Sequence, residues 1–413
     1  MSEEATAGEK SPAGRWFVPS LVITCFAVNI SVPMLSLLTV DFAKTFIGSG
    51  DPATVGIVAQ TSTVNSAAEV VFALLMGFLA VRFKHKPLLL VGVVLVAISA
   101  VGSFFAPTLV FLQIFYAIEG VGSIIVGIMA YTMIGDLLPS DKKAKAVSYV
   151  VAMTSLAVLI GTPAIGLITN VAGWRSVFIF LALPVSVGGL ILAFLGLPSR
   201  SLEQQLVADK KAPLSNFRQV LSNRSAVSCL VGGIFGGAAG GLGLFAIAFY
   251  RQQFLEPMGF AVETIRGFAV GIILLAATMY VVASLVVGRL ASRFGAKTLT
   301  VVGALGNGVL IMVFFFMPNL WTALPLDMAH VWFAAATVTA VQCLALDQVP
   351  KSRGTMMSLN MMFGTLGGVI GTAVGGAMLV LFGLYQAVGL ALGAMGIVSA
   401  VVIYFFAKDP TKI

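Results

Sequence analysis

Charged residues are scarce in this chain, at 10% of 413 positions, against roughly 25% in soluble domains. With 59% hydrophobic residues and a mean hydropathy of +1.04, that scarcity excludes a water-soluble fold, which has nowhere to hide so much apolar surface. Little length is left for a separate soluble domain. Cysteine is scarce as well: Cys25, Cys229 and Cys343 lie far apart inside apolar runs, which argues against a disulfide framework and a zinc site. The chain has only two histidines and no His-rich metal motif, G-x-S-x-G elbow or phosphate-binding loop, so an embedded enzyme and direct ATP coupling are disfavoured, and no cofactor or metal is expected. The first fifteen residues are polar and end in Arg15, and no small-residue cleavage site follows. The next apolar run is therefore expected to be an uncleaved membrane span.

What the chain does have is length in apolar runs. Spans are predicted near 16–40, 54–80, 88–106, 109–136, 146–170 and 175–197, then near 226–250, 264–288, 298–317, 324–346, 355–381 and 385–407. The one long polar connection suggests a six-span bundle over 1–197, a cytoplasmic linker over 198–225 and a second bundle over 226–413. If both termini are cytoplasmic, twenty of the 24 Lys and Arg residues fall inside, leaving Lys44, Arg175, Arg251 and Arg266 outside. Such a bias is a topology signal, and it makes the +8 net charge a poor argument for nucleic-acid binding. Trp16, Trp174 and Trp321 fall near predicted span ends, where headgroups accommodate amphipathic rings; Trp332 lies within a span.

The halves repeat. At an offset of 211, Gly77-Phe-Leu-Ala-Val-Arg-Phe83 overlies Gly288-Arg-Leu-Ala-Ser-Arg-Phe294 with five of seven positions identical, and Asp136 and Pro139 overlie Asp347 and Pro350. One residue out of that register, Gly161-Thr162 and Gly166 overlie Gly371-Thr372 and Gly376. This is a parallel duplication of a six-span unit.

On these residues the whole chain resembles the major facilitator superfamily. Gly77, Leu79, Arg82, Lys84 and Lys86 match the family's loop after span two, with Val81 where an acidic gate residue is usual. In span four, Gly120 and Gly122 match R-x-x-Q-G-x-G, with Tyr116 for Arg and Glu119 for Gln. Gly161, Pro163 and Gly166 match part of the exporter motif of span five, and Gly173-Trp174-Arg175 with Phe178 looks like the drug and sugar-efflux branch. The resemblance implies an all-α fold of twelve transmembrane helices in two pseudo-symmetric bundles, working by alternating access in the cell membrane as a monomer.

Carboxylates near mid-membrane cost at least about 2.5–3.5 kcal/mol, so they usually face a cavity or a partner. Glu69 and Glu119 are the clear cases. The offset of 211 maps Glu119 onto His330 and Tyr116 onto Asp327, each pair at i, i+3 on one helix face. A titratable cluster of Tyr116, Glu119, Asp327 and His330 is one expectation; the other is that Asp327 and His330 merely cap the outer end of span ten. Ser62, Asn65, Ser66 and Glu69 form a polar face on span two, serving either a cavity or helix-to-helix bonding. Asn29 and Gln342 are weaker candidates of the same kind. Gly232, Gly233, Gly236, Gly237, Gly240 and Gly241 suit close packing of span seven, or a hinge. Gate ion pairs are expected between Arg82 and Asp136 and between Arg293 and Asp347, with Arg251 and Arg266 snorkelling or pairing with Glu256 or Glu263.

The function expected is proton-coupled efflux of a small, partly apolar compound. The alternative is a proton symporter importing a sugar or organic acid, which several converging Asn, Gln and Arg side chains would favour.

Overall fold

The computed structural model describes residues 15–48, 52–198 and 213–409. Lys10, Arg200, Lys210, Lys211 and Lys412, counted in the charge bias, lie outside them, as does much of the expected linker. The fold is all-α with twelve membrane spans in two pseudo-symmetric bundles, because in hydrocarbon a helix satisfies every backbone group within its own segment. Among the described residues, eleven stretches are long and apolar enough to cross a bilayer, by length and composition. The twelfth crossing is broken, and this is a systematic feature. Span one runs as Phe17–Asn29 and Val32–Phe46, interrupted at Ile30 and Ser31; span seven runs as Arg224–Ala239 and Leu242–Tyr250, interrupted at Gly240 and Gly241. The interruptions are 210 residues apart, so the duplication carries the break with it.

The other spans are two (Pro52–Arg82), three (His85–Phe105), four (Leu109–Leu137), five (Ser140–Ala172), six (Trp174–Gly196), eight (Val262–Phe294), nine (Ala296–Phe314), ten (Leu320–Gln348), eleven (Arg353–Phe382) and twelve (Tyr385–Phe406). The repeated span-five and span-eleven glycines acquire a role from the breaks. A Cβ on Gly161 would lie 3.1 Å from both Ile30 and Pro33, and one on Gly371 would lie 2.1 Å from the Ala238 carbonyl oxygen. Each glycine thus admits the broken span of its own half. Gly166 and Gly376 have nothing within 4 Å, so packing does not require them.

The halves meet through spans two and eleven and through spans five and eight. At the end carrying the Lys and Arg loops, a Cβ on Gly77 would meet Ser358 Oγ at 2.8 Å, and one on Gly288 would meet Ser148 Cβ at 2.2 Å. These are equivalent contacts under the repeat. Thr355 Oγ1 also donates to the Gly77 carbonyl across the seam, at 3.1 Å. A helix over Pro213–Ser222 covers this seam, with Phe217 against Phe78 at 4.5 Å between ring centroids and Gln219 accepting from Ser352 Oγ at 3.0 Å. Trp16 and Trp321 are exposed, as headgroup anchors require, whereas Trp174 is buried and donates to Thr45, contrary to the expectation for it.

Candidate functional site

Two polar centres occupy equivalent places in the halves. In the first, Glu119 is 8% exposed on span four and both its oxygens are occupied: Ser31 Oγ donates to Oε1 at 2.5 Å and Asn65 Nδ2 to Oε2 at 2.7 Å. The second Asn65 amide hydrogen reaches the Tyr116 carbonyl at 2.7 Å. Glu119 therefore ties the break in span one to spans two and four. Buried carboxylates require such donors, since an unpaired one carries its full desolvation cost. Glu69 lies near enough to interact with Glu119 electrostatically. Tyr116 is packed against Phe42 and Phe178, and its hydroxyl has no partner among the described residues. Asn29 is not part of this centre, because its amide donates to Cys25 of its own helix.

In the second centre, Asp327 Oδ2 accepts from the Tyr250 hydroxyl at 3.2 Å, joining spans ten and seven. His330 Nδ1 stands 3.4 Å from Asp327 Oδ1. Both side chains are buried, at 4% and 8% exposure, and the helix N-terminus is capped further up by Asn319, so they are not end caps facing water. They line a cavity of about 260 Å³ at the seam of the halves, with Ser155 of span five, Leu242 of span seven and Ile272 and Tyr280 of span eight. No described contact joins Glu119 to His330. The single four-residue cluster is thus corrected to two centres, one per half, each tying a span-seven or span-one segment to its neighbour in span ten or four. Of the amide side chains, Asn360 donates to Gln342 at 2.9 Å, and neither lines the seam cavity.

The gate pairs are corrected too. Asp136 pairs with Arg353 of the opposite half at 3.1 Å, with His85 at 3.8 Å, and Asp347 pairs with Lys143 of the opposite half at 3.6 Å. Arg82 and Arg293 are exposed, and Arg293 lies over the Phe294 ring. Arginines at helix ends that reach solvent without desolvation have little reason to fold back onto an acid already held by another cation. Arg251 bonds Glu256 at 2.7 Å within its own segment, and the Glu263 and Arg266 side chains lie outside those described. Sequence reasoning missed Ser31, Tyr250 and the cross-seam partners, none of which sits in a motif.

Residues 17–279 and 267–413 match the family model of the Major Facilitator Superfamily. The uncharacterized MFS-type transporter YwfA of Bacillus subtilis (strain 168) is 25% identical over 398 residues, 95% of this chain and 92% of YwfA. The multidrug resistance protein MdtM of Escherichia coli (strain K12) is 21% identical over 214 residues, 51% of this chain and 50% of MdtM. Among solved structures, the E. coli fucose:proton symporter FucP superposes with a TM-score of 0.74 at 13% identity, covering 95% of this chain and 99% of that one.

Proposed function

The chain belongs to the Major Facilitator Superfamily, and on that premise we propose that it is a proton-coupled exporter of a small, partly apolar compound, working by alternating access. The observation that carries the reading is the pair of buried acidic centres, each fastened to a broken or terminal segment of the span that its half contributes to the middle of the protein. A change in the charge of Glu119 or Asp327 alters the hydrogen bonds that hold Ser31 or Tyr250, which couples protonation to the position of spans one and seven. The aliphatic walls of the seam cavity suit a partly apolar solute better than a sugar. The similarity to a protein named for multidrug resistance supports the export reading, while the likeness to the fucose:proton symporter is one of fold.

In this reading residues 1–197 and 226–413 are the moving bundles, 198–225 the linker, and the basic end faces the cytoplasm of a plasma-membrane protein with both termini inside. The working unit is a monomer, since one chain supplies both sides of the seam. The test is flux of a substrate library in proteoliposomes with a pH gradient of either sign. Export against inward protons is expected, with the pH dependence lost in Glu119→Gln; substrate travelling with protons would replace this reading by symport, and unchanged pH-dependent flux in both Glu119→Gln and His330→Ala removes the two centres from the mechanism.

A further inference from the structure

The seam cavity contains one carboxylate that the protein leaves half satisfied. Asp327 Oδ2 has the Tyr250 hydroxyl, but among the described residues the group nearest Oδ1 is His330 Nδ1 at 3.4 Å, outside hydrogen-bonding geometry. His330, more than nine-tenths buried, has no hydrogen-bond partner for that nitrogen among the described residues, and it lines the same cavity. The contrast with Glu119, both of whose oxygens are occupied by protein donors, is direct. A buried carboxylate lacking half its partners carries a desolvation cost that a counter-ion relieves.

Tyr250 of span seven reaches Asp327 through its hydroxyl, and the cavity beside the pair is walled by Tyr280 from span eight, Ser155 from span five and aliphatic side chains such as Val158 and Ile272. Arg251 lines the adjoining cavity beyond Tyr250, where it is 57% exposed and neutralised by Glu256. Among the described residues, no lysine, arginine or glutamate lines the Asp327 cavity. We propose that this cavity binds a monovalent organic cation with a compact apolar body, and that the cation and a proton on His330 are alternative counter-ions of Asp327. One carboxylate neutralises one charge. A volume of about 260 Å³ is far more than one water needs and limits the apolar body to a compact one. Protonated His330 satisfies Oδ1 and repels the cation; neutral His330 leaves Oδ1 to it. The proposal names a substrate class for the exporter reading and rests on that reading for transport, though not for binding.

Benzyltrimethylammonium is a suitable probe, because its permanent charge leaves any pH dependence to the protein. Its binding to the purified full chain is measured without a gradient, beside phenylacetate and benzyl alcohol, from pH 5.5 to 8. The cation is expected to bind at least tenfold tighter than either comparison compound, to lose at least tenfold in Asp327→Asn, and to weaken several-fold toward pH 5.5 in the wild type but not in His330→Gln. Preferred binding of phenylacetate, full affinity in a folded Asp327→Asn, or a pH slope that survives His330→Gln overturns the proposal. Should Asp327→Asn fail to fold, the slope comparison decides alone. Cation binding without proton-driven export defeats the exporter reading only; export of another substrate without cation binding defeats this inference only.

Discussion

Replacing Gly288 by alanine places a methyl group 2.2 Å from Ser148 Cβ and 3.0 Å from the Ala144 carbonyl oxygen. Ser148 Cβ is fixed to its helix and no rotamer moves it. To restore an ordinary contact of 3.4 Å, spans five and eight must part by about 1.2 Å. Overpacking of this kind costs roughly 1–3 kcal/mol. Here the cost falls on the state in which the basic ends of the halves touch, so the opened state gains about 5- to 150-fold in relative population. Gly77→Ala should act more weakly, since its methyl meets the free ends of Phe217 and Ser358, which can turn aside. Gly376→Ala, with nothing within 4 Å, should be silent. Spin labels at Phe83 and Lys351, exposed positions at the basic ends of opposite halves, report the separation by pulsed dipolar spectroscopy once the three buried cysteines are replaced. A longer distance is expected in Gly288→Ala. An unchanged distance with a lowered melting temperature, or an equal change in Gly376→Ala, refutes the argument that this glycine sets the closeness of the seam.

Three further outcomes follow from the same geometry. A double-mutant cycle on Asp136→Asn and Arg353→Gln, read from the same label distances, should give a coupling of about 0.5–3 kcal/mol; the longer Lys143–Asp347 pair should give less, and Arg82→Ala should be nearly neutral. Gly367→Ala and Gly371→Ala each drive a methyl to 2.1 Å from a span-seven carbonyl oxygen and should lower the melting temperature in detergent by several degrees, whereas Gly368→Ala, one position along, should not. Asn65→Ala leaves Glu119 with one donor and should cost about 1–3 kcal/mol in detergent unfolding; no loss would mean that the amide does not support the carboxylate.

Hydrophobic length and repeated glycines made the twelve spans and their duplication legible, because bilayer thickness and helix approach act on local sequence. The acidic centres were half legible. Glu119, Asp327 and His330 stand out as polar residues in apolar runs, and so does Asn65, but Ser31 is a small hydroxyl that apolar spans carry freely, and Tyr250 resembles any aromatic near a span end. The break at Ile30 and Ser31 has only Pro33 to signal it, while Gly240 and Gly241 signalled the equivalent break openly. The gate misled because Arg82 and Arg293 belong to the repeated motif after spans two and eight, whereas the actual partner of Asp136, Arg353, lies 217 residues away in the other half. Nothing local in a chain records which surfaces two rigid bundles turn toward each other.

The crossed ion pairs have the arrangement of a symmetric assembly inside a single chain. An acid of each half meets a cation of the other, which is the isologous pattern of a two-fold dimer, and Arg353 stands at the position equivalent to Lys142, the neighbour of Lys143. In a dimer of identical units any substitution at such an interface would occur twice, and both bridges would rise or fall together. In one chain each bridge is set by its own residues. His85 stands beside Asp136, but the equivalent place near Asp347 belongs to Ala296, and the two bridges differ in length. The closure is therefore symmetric in plan and unequal in its parts, which leaves one side able to yield before the other.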